Sequence, residues 1–508
     1  MDRGLEQGLD RDIGQAIHQQ HLPLLEALRD AAQRAHAPFY TPGHKRGQGI
    51  PAPMRELLGD RPFLADLPEL PELDNLFAPE GAILQAQELA ADLFGAAQTW
   101  FLANGSTCGI EAAVLATCGP GDTLILPRNC HQAAIAALVL SGAMPVFVQP
   151  DYDPDWGIAH GVSPGAIATA LAQHPDAKAV MLVYPTYYGA CGDIGAIAQL
   201  AHQRGIPLIV DEAHGAHFAF HPDFPTPSLA AGADIVVQST HKVLGAMTQA
   251  SMLHYQGDRV DPSRLSRALR LVQSTSPSYL LLASLDAARW QLAQQGPDLM
   301  QHTLDLAAIA RTQLAQLPGL RLLTAAHACT PGFIALDPTR LTVDVSGLGL
   351  SGFAADEILH TTLGVTAELP GLTHLSFILS LGNTPADIEQ LVAGFRALAQ
   401  SVQPADGLPA GEFKRVGAGF PWNAIEVEPL QSPRAAFLAN SEVVALEQAG
   451  DRLSAETVCP YPPGIPLLIP GERISRGALQ WLKAVLEQGG TVTGLVGEQG
   501  LRVVQRNG

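Results

Sequence analysis

The stretch DIVVQSTHKVLGAMTQASMLHY, residues 234–255, decides how the rest of the chain is read. It opens with an apolar run at 234–238, closes with another at 250–255, and places Ser239-Thr240-His241-Lys242 directly after the first. A short, continuous apolar run is the pattern of a strand covered on both faces. A lysine following such a strand would stand at the carboxyl edge of a sheet, where α/β proteins bind ligands. There an amine can be partly desolvated, which lowers its pKa and makes it nucleophilic toward an aldehyde. Taken alone, Lys242 reads as an ordinary surface residue after a strand.

Similar runs at 99–103, 122–126, 145–148, 179–184 and 207–210 precede this stretch, with helical patterns between them at 109–117, 131–140 and 194–203. The alternation predicts an α/β fold, a mostly parallel sheet of about seven strands flanked by helices. Upstream, an amphipathic helix at 22–34 leads through TPGHKRG (41–47) to a proline-broken arm at 61–81, read as extended, and to a helix at 82–94. Downstream, 263–316 reads as mostly helix, broken at Ser276-Pro277-Ser278 and bent near Gly296-Pro297. Strands at 340–345 and 374–381 with helices at 352–363 and 385–400 predict a smaller α+β domain. In the last segment Ser475 can cap a helix whose Ala478, Leu482, Val485 and Leu486 share one face, ending at Gly489-Gly490. The domain reading is therefore an N-terminal helix and arm (1–98), a large domain (99–318), a small α+β domain (319–402), a linker (403–421) and a C-terminal α+β domain (422–508).

Composition narrows the function. Of 508 residues, 47% are hydrophobic and 16% charged, a packed and not a disordered composition. The formal charge of −19 speaks against an extended basic face for nucleic acid. Neither a signal-peptide pattern nor an apolar run long enough to span a membrane occurs. The six cysteines form no C-x-x-C pair, so reduced thiols and a cytoplasmic location are expected.

Two further groups carry chemistry. Asp211 ends the run at 207–210 and lies 31 residues before Lys242. A carboxylate there can keep a pyridine nitrogen protonated, or cap the segment that follows. Asn104-Gly105-Ser106-Thr107 sits between a strand and a helix, where hydroxyls beside free N–H groups can hold a phosphate or form a plain N-cap. Neither the P-loop nor the G-x-G-x-x-G pattern occurs. His214 and His217 are three apart, but no ligand set completes a metal site, and none is expected.

A phosphate anchor, an acid for a ring nitrogen and an imine-forming lysine fit one ligand, pyridoxal 5'-phosphate (PLP). With them come TPGHKRG (41–47), LDNLFAPEGAI (73–83), FLANGST (101–107), PRNCH (127–131), YPTYYG (184–189), VDEAHGAH (210–217), QSTHKVLGAMTQAS (238–251), DPTRLTV (337–343) and CPYPPGIPLLIPGE (459–472). On these blocks the chain resembles the bacterial ornithine, lysine and arginine decarboxylases of the type I (aspartate-aminotransferase) PLP fold, in their shorter form without an N-terminal wing domain. The resemblance implies that Gly105, Ser106, Thr107, Ser239 and His241 bind the phosphate. It further implies that His131 stacks on the ring, Asp211 pairs with its nitrogen, and Thr186 and His214 lie beside it. Lys242 would carry the cofactor as a Schiff base. Glu472 would grip the distal cation of a basic amino acid, with Asp74 or Glu80 as possible helpers. Gln132 and Pro68 depart from residues common in the family, which bears on fine specificity. The expected reaction is decarboxylation of arginine, lysine or ornithine, leaning to arginine, in a homodimer or higher homo-oligomer. An aminotransferase, an acyl-transferring synthase and a catalytically silent PLP-binding regulator are the competing readings.

Overall fold

All seven apolar runs between residues 98 and 255 form strands in the computed structural model, which describes residues 19–401, 429–461, 464–487, 489–497 and 499–506. They are β1 (Gln98–Leu102), β2 (Thr123–Pro127), β3 (Met144–Val148), β4 (Ala179–Val183), β5 (Leu208–Asp211), β6 (Ile235–Gln238) and β7 (Ser251–Tyr255). One sheet joins them in the order β1-β7-β6-β5-β4-β2-β3. β2 runs parallel to β3 and β4, and β4 parallel to β5. β7 runs antiparallel to both β1 and β6. The reason is in the connection: between β6 and β7 there is one helical turn, Thr240–Val243, instead of the long crossover that a parallel return needs.

The described residues fall into two units, one built from those before residue 117 together with 215–301, the other from 117–214 together with the residues after 301. In the first unit the Gly105–Thr117 helix lies close against β1 and β6. A Cβ on Gly109 would stand 2.7 Å from both Leu102 and Val237, so glycine sets that approach. Asp74 caps the Ala82–Phe94 helix from a distance in sequence, accepting from the N–H groups of Gly81, Ile83 and Leu84. The arm at 61–81 differs from the extended reading: it contains a short helix at Arg61–Ala65 and a 3-10 turn at Pro71–Leu73. Pro sits in the first turn of each, where its missing N–H costs no helical bond. The expected break before residue 279 is present, but Tyr279–Leu314 runs as one helix with Pro297 inside it. Gly296 lies against Phe220, where an added Cβ would come within 3.2 Å of the ring.

In the second unit the helices Gln132–Ser141, Pro164–Gln173 and Ile194–Gln203 accompany β2–β5. Four strands, Arg321–Leu322, Arg340–Asp344, His374–Ile378 and Leu369–Pro370, form a second sheet in that order. Its core includes Leu341, Val343, Leu375, Leu359 and Phe395, all fully buried. A third sheet, of Ser441–Ala445, Gly500–Val504 and Leu495–Val496, packs with the Arg476–Glu487 helix around Val458, Leu482, Leu501 and Val503. Ser475 does cap that helix, its Oγ accepting from Ala478 N at 3.1 Å. The segment 403–421, read as a linker, lies outside the described residues.

Candidate active site

The first unit gathers the residues read as the phosphate anchor. Gly105 opens the Gly105–Thr117 helix with φ at +77°, a conformation that favours glycine. Ser106 and Thr107 follow in the first turn, the former half-buried and the latter exposed. Ser239 Oγ donates to Ser106 Oγ at 2.7 Å, so hydroxyls 133 residues apart meet at one helix N-terminus. Free N–H groups and the helix dipole make that end attractive to an anion. Sequence reading missed the bracing: Gln249 Nε2 donates to Ala103 O at 2.5 Å, and Gln273 Oε1 accepts from Ala103 N at 3.0 Å. Gln249 stood inside a quoted block, but nothing local marks it as a brace.

His241 and Lys242 occupy the Thr240–Val243 turn directly after β6, both half-buried. His241 Nδ1 lies 3.0 Å from Ala250 O, and a carbonyl only accepts, so Nδ1 carries the proton. Burial lowers the His241 pKa, the Ala250 bond opposes that, and the Lys242 cation lowers it again. Its Nε2 can therefore donate to a phosphate only when the ring is protonated.

The second unit holds the remaining residues, and they are more deeply fixed. Asp211 ends β5 and is 6% exposed. Its Oδ1 accepts from Ala213 N at 3.2 Å, so the capping role exists. A carboxylate has a second oxygen, and the two roles do not compete. Thr186 is buried in the turn after β4, its Oγ1 accepting from Ala190 N at 3.2 Å. Its hydroxyl proton remains to donate elsewhere. His131 is half-buried and caps the Gln132–Ser141 helix, Nδ1 accepting from Ala133 N at 3.2 Å, which places the ring proton on Nε2. His214 is 4% exposed, its ring 4.6 Å from that of Tyr187. Arg340 Nη2 donates to His214 Nδ1 at 3.2 Å and to its carbonyl at 3.0 Å.

Glu472, expected to grip the substrate's distal cation, has partners within the chain. Its carboxylate is 2% exposed, and Oε2 accepts from Arg128 Nη2 and from Ile469 N, each at 3.0 Å. Arg128 is fully buried and also donates to the carbonyls of Pro466 at 2.6 Å and Leu467 at 3.0 Å. Separating such a buried pair is strongly unfavourable, so Glu472 braces the C-terminal segment onto the loop that carries His131. Asp74 is likewise occupied. Burial pushes its pKa up, but hydrogen bonds from Glu80, Asn75, Gly81 and Leu84 outweigh this and hold it below the usual carboxylate range. The PGHK turn is structural in the same sense: His44 bridges Asp66 at 3.0 Å and Gly47 N at 3.1 Å.

A sheet with this strand order, a buried acid ending β5 and a lysine just after β6 define the type I fold of PLP-dependent enzymes. The solved lysine decarboxylase A from Pseudomonas aeruginosa superposes with a TM-score of 0.83 at 23% identity, covering 98% of this chain and 82% of that one. The chain belongs to the Orn/Lys/Arg decarboxylase family, a group of carboxy-lyases: the family's major-domain model matches residues 22–387 and its C-terminal-domain model residues 421–508. It is 38% identical over 478 residues to the arginine decarboxylase of Bacillus subtilis strain 168, covering 94% of this chain and 96% of that protein. It is also 38% identical to the arginine decarboxylase of Halalkalibacterium halodurans, covering 92% and 93%.

Proposed function

We propose that this protein is a cytoplasmic, PLP-dependent arginine decarboxylase that works as a homodimer or higher homo-oligomer. The observation that carries the cofactor assignment is Asp211, a carboxylate buried at a strand end with a backbone partner on Oδ1. Burying a charge is costly unless a cation or donors compensate it, and a protonated ring nitrogen is such a partner. The N-terminus of the Gly105–Thr117 helix, with Ser106 and Ser239 joined there, suits a phosphate dianion. The donor set therefore fits the cofactor.

When bound, PLP supplies a ring that accepts the charge left as the carboxyl group departs. Ser106, Thr107, Ser239 and His241 would hold its phosphate, Asp211 would keep the proton on its ring nitrogen, and His131 would lie against the ring. Lys242 Nζ would be the amine that carries it, and Lys242 or His214 would return a proton to the substrate Cα. Arginine is preferred because the arginine decarboxylases of the two relatives share 38% identity over nearly the whole chain. The oligomer reading is supported by the Ala52–Leu58 helix, which buries none of its residues within the chain. It exposes Leu57 by 75%, and Phe39 ahead of it in the chain is 94% exposed, apolar surface suited to a second copy. No helix among the described residues is long and apolar enough to cross a membrane.

One assay tests the substrate. The purified protein should release CO₂ from arginine with equimolar agmatine, faster than cadaverine from lysine or putrescine from ornithine. A keto acid instead of CO₂ would point to an aminotransferase, and no turnover of any basic amino acid to a silent regulator.

A further inference from the structure

Arg340 is almost fully buried, yet no role in the reaction has been given to it. It opens the Arg340–Asp344 strand, is 1% exposed, and lies 3.6 Å from Asp337 through Nε. Its backbone is held as well, since Arg311 donates to the Arg340 carbonyl. Asp337 is fixed in turn by Thr339, whose N–H and hydroxyl donate to Oδ1 at 2.9 and 2.6 Å. The turn at 184–189 presses on the guanidinium stem: a Cβ on Gly189 would lie 2.7 Å from Arg340 Cγ. That same turn sets Tyr187 against the His214 ring.

The contact with His214 has one chemical reading. A guanidinium has donors only and stays charged across the working pH range of proteins. Arg340 Nη2 therefore donates to Nδ1, and Nδ1 must present its lone pair. The proton of neutral His214 is then on Nε2. The second bond, from the same nitrogen to the His214 carbonyl, locks the ring's orientation to its own backbone.

We propose that Arg340 is a positioning residue that holds His214 as the neutral Nε2–H tautomer. The proposal rests on the decarboxylase reading for its catalytic meaning, and on the Arg340–His214 geometry for its chemistry. Protonating Nδ1 would set an imidazolium N–H against a guanidinium N–H, so the charged ring is disfavoured. Of the other titratable groups, Tyr187 packs on the His214 ring, and Asp337, Glu368 and Cys191 interact electrostatically with Arg340, favouring its charged form. Asp211 and Glu212 precede His214 on its own segment.

The test uses full-length holoprotein labelled with 15N-histidine, with His214 identified as the signal lost in His214→Gln. In the native protein His214 should be Nε2-protonated with Nδ1 accepting a hydrogen bond at pH 8 and at pH 6. Arg340→Met should remove that hydrogen-bonded Nδ1 signature and let the ring titrate near the ordinary histidine pKa of about 6.5. Arg340→Lys should retain an Nδ1 acceptor. With arginine, Arg340→Met should lower kcat by about a hundredfold with KM near native, and Arg340→Lys should recover part of it. A native His214 protonated on Nδ1 overturns the proposal, and this needs no variant to fold. So does a cooperatively folding Arg340→Met protein with an unchanged His214 signal. If no basic amino acid is turned over, the decarboxylase reading fails, while the NMR result still decides the tautomer.

Discussion

The two units hold the residues read as functional in different ways. In the first, Ser106, Thr107, His241 and Lys242 are half-buried or exposed, and a hydroxyl pair, Ser239 to Ser106, joins the two anchor segments. In the second, Asp211, Thr186 and His214 are buried, and Arg340 and Arg128 cross-brace the segments that carry His214 and His131. On the proposed cofactor reading, the difference follows from what each group would do. A phosphate brings its own charge and acceptors, so its anchor needs only donors. A ring-nitrogen acid and an oriented imidazole must be right before the ligand arrives, and that requires buried, hydrogen-bonded support.

The largest effect expected from breaking the second side is chemical. Asp211→Asn should cut decarboxylation by about 10²–10⁴-fold, because loss of the anion lowers the ring nitrogen's pKa. Cofactor titration followed by absorbance should still show binding through the phosphate anchor. Near-native turnover would remove Asp211 from the ring nitrogen.

Next in size is the Arg128–Glu472 brace. Glu472→Gln or Arg128→Met alone should destabilise the protein by about 3–5 kcal/mol, because each leaves a buried charge without its partner. The paired change to Met at both positions should recover most of that in denaturant unfolding, with KM for arginine unchanged throughout. A raised KM with unaltered stability would restore Glu472 to the substrate site.

How much of this was legible in the sequence differs between the two sides. The strands were readable because β4, β5 and β6 are covered on both faces and so appear as unbroken Val, Ile and Leu runs. Lys242 and Asp211 were readable because each directly follows or ends such a run. The short helix at Arg61–Ala65 was not, since five residues with Pro62 among them show no helical period. Arg128 and Arg340 were invisible for a different reason. An arginine in a sequence reads as surface by default, and their partners Glu472 and His214 lie 344 and 126 residues away. Only the fold makes those pairs. That is also why the Arg128 partnership of Glu472 could not be read: its sequence neighbourhood shows a rigid turn, and this partner is elsewhere.

A third prediction concerns acid stability, to which both units contribute. Burial pushes the pKa of His254 in the first unit down to about 3, and those of His160 and His374 in the second down to about 4. The unfolded chain takes up protons near pH 6.5 that the folded one refuses. Stability from these groups is full above that pH and is lost as pH falls from about 6.5 toward 4. For His374 the loss is on the order of 3 kcal/mol. Unfolding free energies measured across that window should show it, and His374→Phe should flatten the slope. An identical slope in that variant would contradict the assignment.

The smallest effects belong to the open side. Ser106→Ala or Ser239→Ala should weaken cofactor binding by about 1.5–3 kcal/mol and leave the turnover of saturated enzyme close to native. Loss of turnover at saturating cofactor would mean that the anchor is not separable from the chemistry.

The central claim is that Lys242 carries PLP, and it can be read directly. The purified holoprotein is treated with borohydride, digested, and its peptides are weighed by mass spectrometry. The account predicts a reduced pyridoxyl group on the peptide containing Ser239-Thr240-His241-Lys242, with the mass located on Lys242. The same group on any other lysine, or on none in a protein that binds the cofactor, would contradict it.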